Sequence, residues 1–164
     1  MQKNNSFFEK IQSNLEIKGF KIIGKNLEKP WGAYLLIDEN QTKKFIEKYF
    51  SHIDLPKLDF SLKMSPKILL VAPGKRLSWQ YHRRRREIWT VLQGPIEIVI
   101  NNTNELVPGQ QYDNQDFIDI KLGERHRLVG LNDWGIVAEI WLHTDANNPS
   151  NENDIVRIED DFNR

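Results

Sequence analysis

GKRLSWQYHRRRREIWTVLQG, residues 74–94, places Gln80, His82 and Glu87 within eight residues. Each can offer a lone pair to a metal ion. Histidine and glutamate are ordinary ligands for zinc, iron or manganese, and a glutamine carbonyl oxygen can serve as well. Gln80 and His82 are two apart, so on a strand both side chains leave from one face. Arg83 to Arg86 read as a strand-end turn, and Glu87 opens a second apolar run through Leu92. The expected local structure is therefore a hairpin whose strands lie side by side and aim three ligand atoms at one point. Four protein ligands would require one more from elsewhere in the chain. Gly74 after Pro73, and Gly94 before Pro95, bound the unit as turn signals.

Outward from this segment the period of the apolar residues is two. Lys67–Ala72, Leu77–His82, Glu87–Leu92, Ile96–Ile100, Gln115–Lys121, His126–Val129 and Ile136–Leu142 read as short strands, separated by polar turns at 101–104 and 108–109. Such strands at roughly ten-residue spacing, with no long helices between them, predict an antiparallel sandwich or barrel. Upstream the period is helical. Residues 5–18 read as an amphipathic helix with Ser6 and Glu9 as a capping box and Gly19 as its stop. Asn40–Tyr49 read as a second helix with Phe45, Ile46 and Tyr49 on its apolar face. His52 beyond it reads as a surface residue. The expected organisation is one domain, with residues 1–60 as an extension packed on a barrel at 61–164.

The chain has 164 residues, equal numbers of basic and acidic side chains (23 each) and no cysteine. The balanced charge gives no pointer to nucleic acid or an acidic membrane surface. The lack of cysteine excludes disulfides and thiolate metal sites and fits a reducing compartment. The opening MQKNNSFFEKIQSN lacks the apolar core of a secretory signal, and no run approaches the ~20 apolar residues of a membrane span. A cytoplasmic protein is expected, with no nucleic-acid or membrane partner.

The spacing of Gly74, Gln80, His82, Glu87 and Gly94 resembles the first motif of the cupin superfamily. Within it, LSWQYHRRRREIW is most similar to the C-terminal cupin domain of type II phosphomannose isomerases, which also use glutamine as first ligand. The Pro30-Trp31-Gly32 triplet and the tail NDIVRIEDDFNR resemble the same domain, so the likeness runs from about Lys29 to Arg164, interrupted by a helical insertion at 40–60. It implies an all-β cupin double-stranded β-helix, a jelly-roll barrel with one or two N-terminal α-helices. It also implies a second motif, of which Gly123 and His126 are kept while Gln115, Lys121 and Gly130 depart from the usual residues. Gln80, His82, Glu87 and His126 are then the expected ligands of a divalent metal: zinc first, with iron, manganese or nickel as other options. His143, in a polar loop, has no counterpart in the motif.

The resemblance implies a metal-dependent sugar-phosphate aldose–ketose isomerase acting on a small sugar phosphate. Such a reaction moves a proton between adjacent carbons through an enediol, which needs a Lewis acid and a positioned base. Lys67, Arg85 and Glu139 are the candidates for catalytic roles, with Glu87 a base only if it is not fully engaged as a ligand. Arg84, Arg85, Lys121 and Arg157 are the candidates for binding substrate, because arginine forks suit phosphate. Arg85 matches an arginine of the family segment, whereas Arg83, Arg84, Arg86 and Ile88 depart from it. Arg157 and Arg164 would pair with nearby carboxylates or reach the pocket. A non-catalytic cupin that binds a sugar or sugar phosphate is the alternative, and an iron-dependent oxygenase the third reading. The nucleotidyltransferase domain of the bifunctional enzymes has no counterpart in the sequence, so guanylyl transfer is not expected. Cupins often pair through exposed sheet edges, which makes a homodimer the expected assembly.

Overall fold

The computed structural model describes residues 2–54 and 57–163. Helix α1 (Gln2–Ile17) leads into β1 (Ile22–Lys29) and β2 (Gly32–Ile37). A single 3-10 turn at Glu39–Gln41 then enters α2 (Thr42–Tyr49). Nine strands follow: β3 (Lys67–Val71), β4 (Trp79–His82), β5 (Arg85–Gln93), β6 (Ile96–Asn101), β7 (Gln110–Tyr112), β8 (Phe117–Ile120), β9 (Arg125–Gly130), β10 (Gly135–His143) and β11 (Ile155–Glu159). They form two antiparallel sheets, β1-β2-β3-β10-β5-β8 and β11-β4-β9-β6-β7, which face one another as a jelly roll. The expected all-β architecture with N-terminal helices is present.

Why the central strands are apolar at nearly every position follows from their place. In the six-stranded sheet Leu69, Val71, Trp89, Val91 and Val137 point inward and pack with Ile96, Ile98 and Leu128 of the facing sheet. The alternate residues Ile68, Leu70, Ile88, Ala138 and Ile140 point outward and lie under Phe8, Leu15, Phe45, Ile46 and Phe50. A sheet buried on both faces shows a continuous apolar run instead of alternation. Phe45, Ile46 and Phe50 are fully buried, each contributing about 1.5–3 kcal/mol through the apolar surface removed from water. The helices thus cap the outer face and leave the inner face free for a site.

Helix α1 begins at Gln2, so Ser6 stands inside it and does not cap it as expected. Polar residues before the apolar stripe can continue a helix as readily as start one. Its C-terminus does end at Gly19, which adopts φ +77. There Gly19 N–H donates to Glu16 O (2.8 Å) and Phe20 N–H to Leu15 O (2.9 Å), the paired bonds of a Schellman motif.

Gly32 has a different reason to be glycine. A Cβ built there would meet the Leu70 carbonyl oxygen at 1.9 Å, with φ at +148. Backbone cannot yield as a flexible side chain does. Gly32→Ala should therefore cost about 3 kcal/mol, read as a lower urea midpoint. An unchanged midpoint would mean that β2 and β3 separate here at no cost.

The central segment folds differently from the expected hairpin. β4 pairs with β11 and β9, whereas β5 pairs with β10 and β8, so the two strands lie in opposite sheets. Only Arg83 and Arg84 form the corner, and Arg85 and Arg86 already belong to β5. The corner frees two backbone donors from either ladder. The Asp154 carboxylate takes both, from Arg83 N (3.2 Å) and Arg84 N (3.0 Å). Asp154 ends a 3-10 turn (Glu152–Asp154) that leads into β11, whose Ile155 stands opposite His82. Ile155, Val156 and Ile158 are half-buried there.

Candidate metal centre and its cavity

His82, Glu87 and His126 meet between the sheets, each at most 3% exposed. One ligand atom from each lies within 4.8 Å of the others. β9 brings His126 beside β4, where it stands in register with Gln80. Gly123 N–H donates to the His82 carbonyl at 3.1 Å, tying the second segment to the first.

The backbone fixes the tautomers of both histidines. His82 Nδ1 lies 3.1 Å from Asp154 O, and His126 Nδ1 lies 3.1 Å from Glu124 O. A carbonyl only accepts, so each Nδ1 carries the proton and each Nε2 presents a lone pair. Metal-bound histidines are held in this way. The two Nε2 atoms face Glu87, at 3.1 Å from Oε1 for His82 and 3.5 Å from Oε2 for His126. His126 Nε2 is buried without a hydrogen-bond partner among the described residues. Burial pushes His82 down from its ordinary value, outweighing the pull of Glu87, and keeps it neutral. Burial pushes Glu87 the other way, but the Arg85 guanidinium beside it helps to hold it well below the usual carboxylate range. Two imidazole nitrogens and a carboxylate thus converge in the buried interior. The donor set fits a divalent metal. Gln80 lines the same cavity, its Oε1 accepting from Ser78 Oγ at 2.6 Å.

Around the cluster runs a second set of charges. Arg85, 2% exposed, donates from Nε to Glu87 Oε1 (2.8 Å) and from Nη1 to Ser150 Oγ (2.8 Å) and Asn151 O (3.1 Å). Its Nη2 lies 3.3 Å from His82 Nε2. Lys67 and Glu139 stand opposite one another on β3 and β10, with Nζ 3.2 Å from Oε1. Lys67 also reaches Glu152 at 3.4 Å. Both cations lie over the Trp141 indole, whose Nε1 donates to Glu139 Oε1 at 2.9 Å. Burial and the nearby Glu87 charge push Glu139 above the usual range, and Lys67 and Arg85 only partly offset them. Burial opposes the Lys67 charge, but Glu139, Glu152 and Glu87 outweigh it and hold the ammonium charged. Two carboxylates in one site are thus driven apart, Glu87 below its usual range and Glu139 above it.

These groups line a cavity of about 380 Å³ that also includes Lys29, Trp31, Tyr34, Trp89 and Arg157. The indole N–H groups of Trp31 and Trp89 are buried with no acceptor among the described residues. Of the residues expected at the site, the structure gathers Gln80, His82, Glu87, His126, Lys67, Arg85, Glu139 and Arg157. It does not bring Arg84 or Lys121 to the cavity. Arg84 binds the tail through Asn148, Pro149 O and Asp154. Lys121 is exposed and pairs with Asp119. Arg86 points outward toward the same aspartate. His143 accepts from Ser150 N at Nδ1 and donates to Lys63 O, a structural use. Arg164 lies outside the described residues. A larger cavity, about 570 Å³ and lined by Ile53, Leu58, Leu62, Met64 and Leu142, holds none of the expected ligands.

Ser150 and Asp154 are the organising residues that sequence reasoning missed. Asp154 receives Ser150 Oγ at 2.7 Å besides the two corner amides, while its carbonyl sets the His82 tautomer. Burial would raise its carboxyl, but the Ser150 hydroxyl, the Arg84 and Arg83 amides and the Arg84 charge hold it below the usual range. Asp154→Ala should cost about 3 kcal/mol by orphaning those donors. A carboxylate depressed on folding stabilises in full above its unfolded value of about 3.9, and its contribution is lost as pH falls through the folded value. Urea unfolding across this range should therefore be less acid-sensitive in Asp154→Asn than in wild type, and identical pH slopes would contradict that.

The profile of the family described as mannose-6-phosphate isomerase C-terminal matches residues 20–160. Xanthan biosynthesis protein XanB of Xanthomonas campestris pv. campestris (strain B100) is 29% identical over 140 residues, 85% of this chain and 24% of that protein. Alginate biosynthesis protein AlgA of Pseudomonas aeruginosa PAO1 is 29% identical over 125 residues, 76% of this chain and 24% of that protein. The chain therefore spans about a quarter of these relatives. The capsular polysaccharide assembling protein CapF of Staphylococcus aureus superposes with a TM-score of 0.54 at 15% identity, over 85% of this chain and 34% of that one. That likeness supports the fold. Matched by its profile over nearly its whole length, the chain belongs to the mannose-6-phosphate isomerase C-terminal family of cupins.

Proposed function

We propose that the chain is a metal-dependent sugar-phosphate aldose–ketose isomerase of the mannose-6-phosphate isomerase type. The observation that carries this reading is the meeting of His82 and His126 at Glu87, beside a cavity lined by Glu87 and by a second carboxylate, Glu139, held above its usual range. A divalent ion, zinc in this reading, held by His82, Glu87 and His126 with Gln80 as the fourth ligand, would supply a Lewis acid for the reacting oxygens. Glu139 takes the proton from the carbon beside the carbonyl and returns it to the neighbouring carbon. A carboxyl raised above the ordinary range by burial suits both halves of that transfer. Lys67 and Arg85 offset the negative charge that develops, and Trp141 holds the Glu139 oxygen in place. The indole donors of Trp31 and Trp89 suit hydroxyl oxygens of a sugar. The names of the relatives, xanthan and alginate biosynthesis, support a carbohydrate substrate.

One observation favours a second reading, a sugar-phosphate-binding cupin without turnover. Arg85 already donates to Glu87 and reaches the His82 lone pair, so part of the cluster is closed by the protein itself. Elemental analysis, together with C2-proton exchange on mannose 6-phosphate, fructose 6-phosphate and heptose phosphates in deuterated water, separates the two. Near-stoichiometric metal with exchange on one sugar supports the isomerase. Metal with exchange on none transfers the case to the binding protein.

A further inference from the structure

The charges lining the cavity do not all find partners within it. Arg85 is taken by Glu87, and Lys67 by Glu139 and Glu152. Two cations remain, Arg157 on β11 and Lys29 at the end of β1. Neither has a carboxylate within ion-pair distance among the described residues. Lys29 lies over the Tyr34 ring at 5.7 Å, and Arg157 is exposed. They come from opposite sheets, and the buried cluster lies further in.

Arg85, the arginine first expected to grip phosphate, has little left to offer. Four of its five N–H groups already point at Glu87, Ser150, Asn151 and His82. Arg84 is spent on the tail and Lys121 lies elsewhere. We propose that Arg157 and Lys29 form the anion subsite of the cavity and bind the phosphate of a phosphomonoester, whose hydroxylated body extends inward past Trp31 and Trp89 toward the His82–Glu87–His126 cluster. A phosphate dianion matches two uncompensated cations, and the arginine fork can grip two of its oxygens. The indoles of Trp31 and Trp89 line the same cavity, and their N–H groups, without acceptors among the described residues, are donors for hydroxyl oxygens. This deepens the isomerase reading and rests on it for the identity of the ligand as a sugar phosphate.

The test is calorimetric titration of the metal-loaded full chain with inorganic phosphate, and in parallel with mannose 6-phosphate and mannose. Arg157→Ala and Lys29→Ala change side chains at the surface or partly exposed, so the fold is retained. Each should weaken inorganic phosphate and mannose 6-phosphate about tenfold or more while leaving mannose within twofold. Arg83→Ala, which removes an exposed arginine that does not line the cavity, should leave phosphate affinity unchanged. Equal phosphate affinity in wild type, Arg157→Ala and Lys29→Ala overturns the subsite, as does an equal loss in Arg83→Ala, which would show diffuse attraction only. Failure of the isomerase reading looks different: no proton exchange on any sugar phosphate, with phosphate binding still dependent on Arg157. Exchange with an unchanged KM in Arg157→Ala sinks the subsite and leaves the isomerase standing.

Discussion

Purified His82→Ala and His126→Ala should each retain the fold and lose bound metal. Perturbing a group that only orients a metal ligand typically costs 10–100-fold in affinity, so removing a ligand should cost about 100-fold or more. The geometry makes the two losses comparable. Each imidazole contributes one Nε2 lone pair, and each is turned by one backbone carbonyl. The apolar layers that hold the sheets do not depend on them, because the clusters around Leu70 and Val137 contain neither histidine. Circular dichroism and elemental analysis on the same samples check both halves of the expectation. Full metal content in both variants would remove His82 and His126 from the ligand set.

Glu139→Gln should do the opposite: keep the metal and lose the chemistry. Glutamine still offers Trp141 Nε1 an oxygen, so the local packing is kept. What disappears is the carboxylate that takes and returns the proton. General acid–base catalysis contributes about 10²–10⁴-fold, and turnover should fall by that factor. The pH profile gives a readout that altered packing would not. Wild-type exchange should fall on the acid side as Glu139 gains its proton, at a pH above that of an ordinary glutamate because burial and Glu87 raise it. The residual exchange of the variant should lack that limb. Wild-type turnover in Glu139→Gln would pass the proton transfer to another group.

Much of this could be read from the chain. Strand spacing predicted the sandwich, and the apolar faces of both helices were visible in their periodicity. Gln80, His82 and Glu87 were near enough in sequence to suggest a site by themselves, while His126 entered through the family resemblance. Other features were not legible, for physical reasons. A two-residue corner between strands looks the same whether the chain turns back in one sheet or crosses to the other. The difference lies in who accepts the freed N–H groups, and that acceptor, Asp154, is some seventy residues away. Charge type alone also misled at Arg84 and Lys121. An arginine or lysine near a motif can be spent on a loop or a neighbouring aspartate, and only the fold reveals which donors stay free. Lys29 and the indole donors of Trp31 and Trp89 gave no sequence signal, since nothing local distinguishes a tryptophan that lacks an acceptor from one that packs.

The crossing at Arg83–Arg84 has a thermodynamic consequence. It puts His82 and His126 on one leaf of the sandwich and Glu87 on the other, so any ion shared by the three is a rivet through both leaves. Unfolding would have to expel it. At a free concentration one hundred times the dissociation constant, that linkage adds about 2.7 kcal/mol to the native state. Supply of the ion would then set part of the native state's stability, and metal-free protein should unfold at a lower urea concentration than metal-loaded protein while still folding.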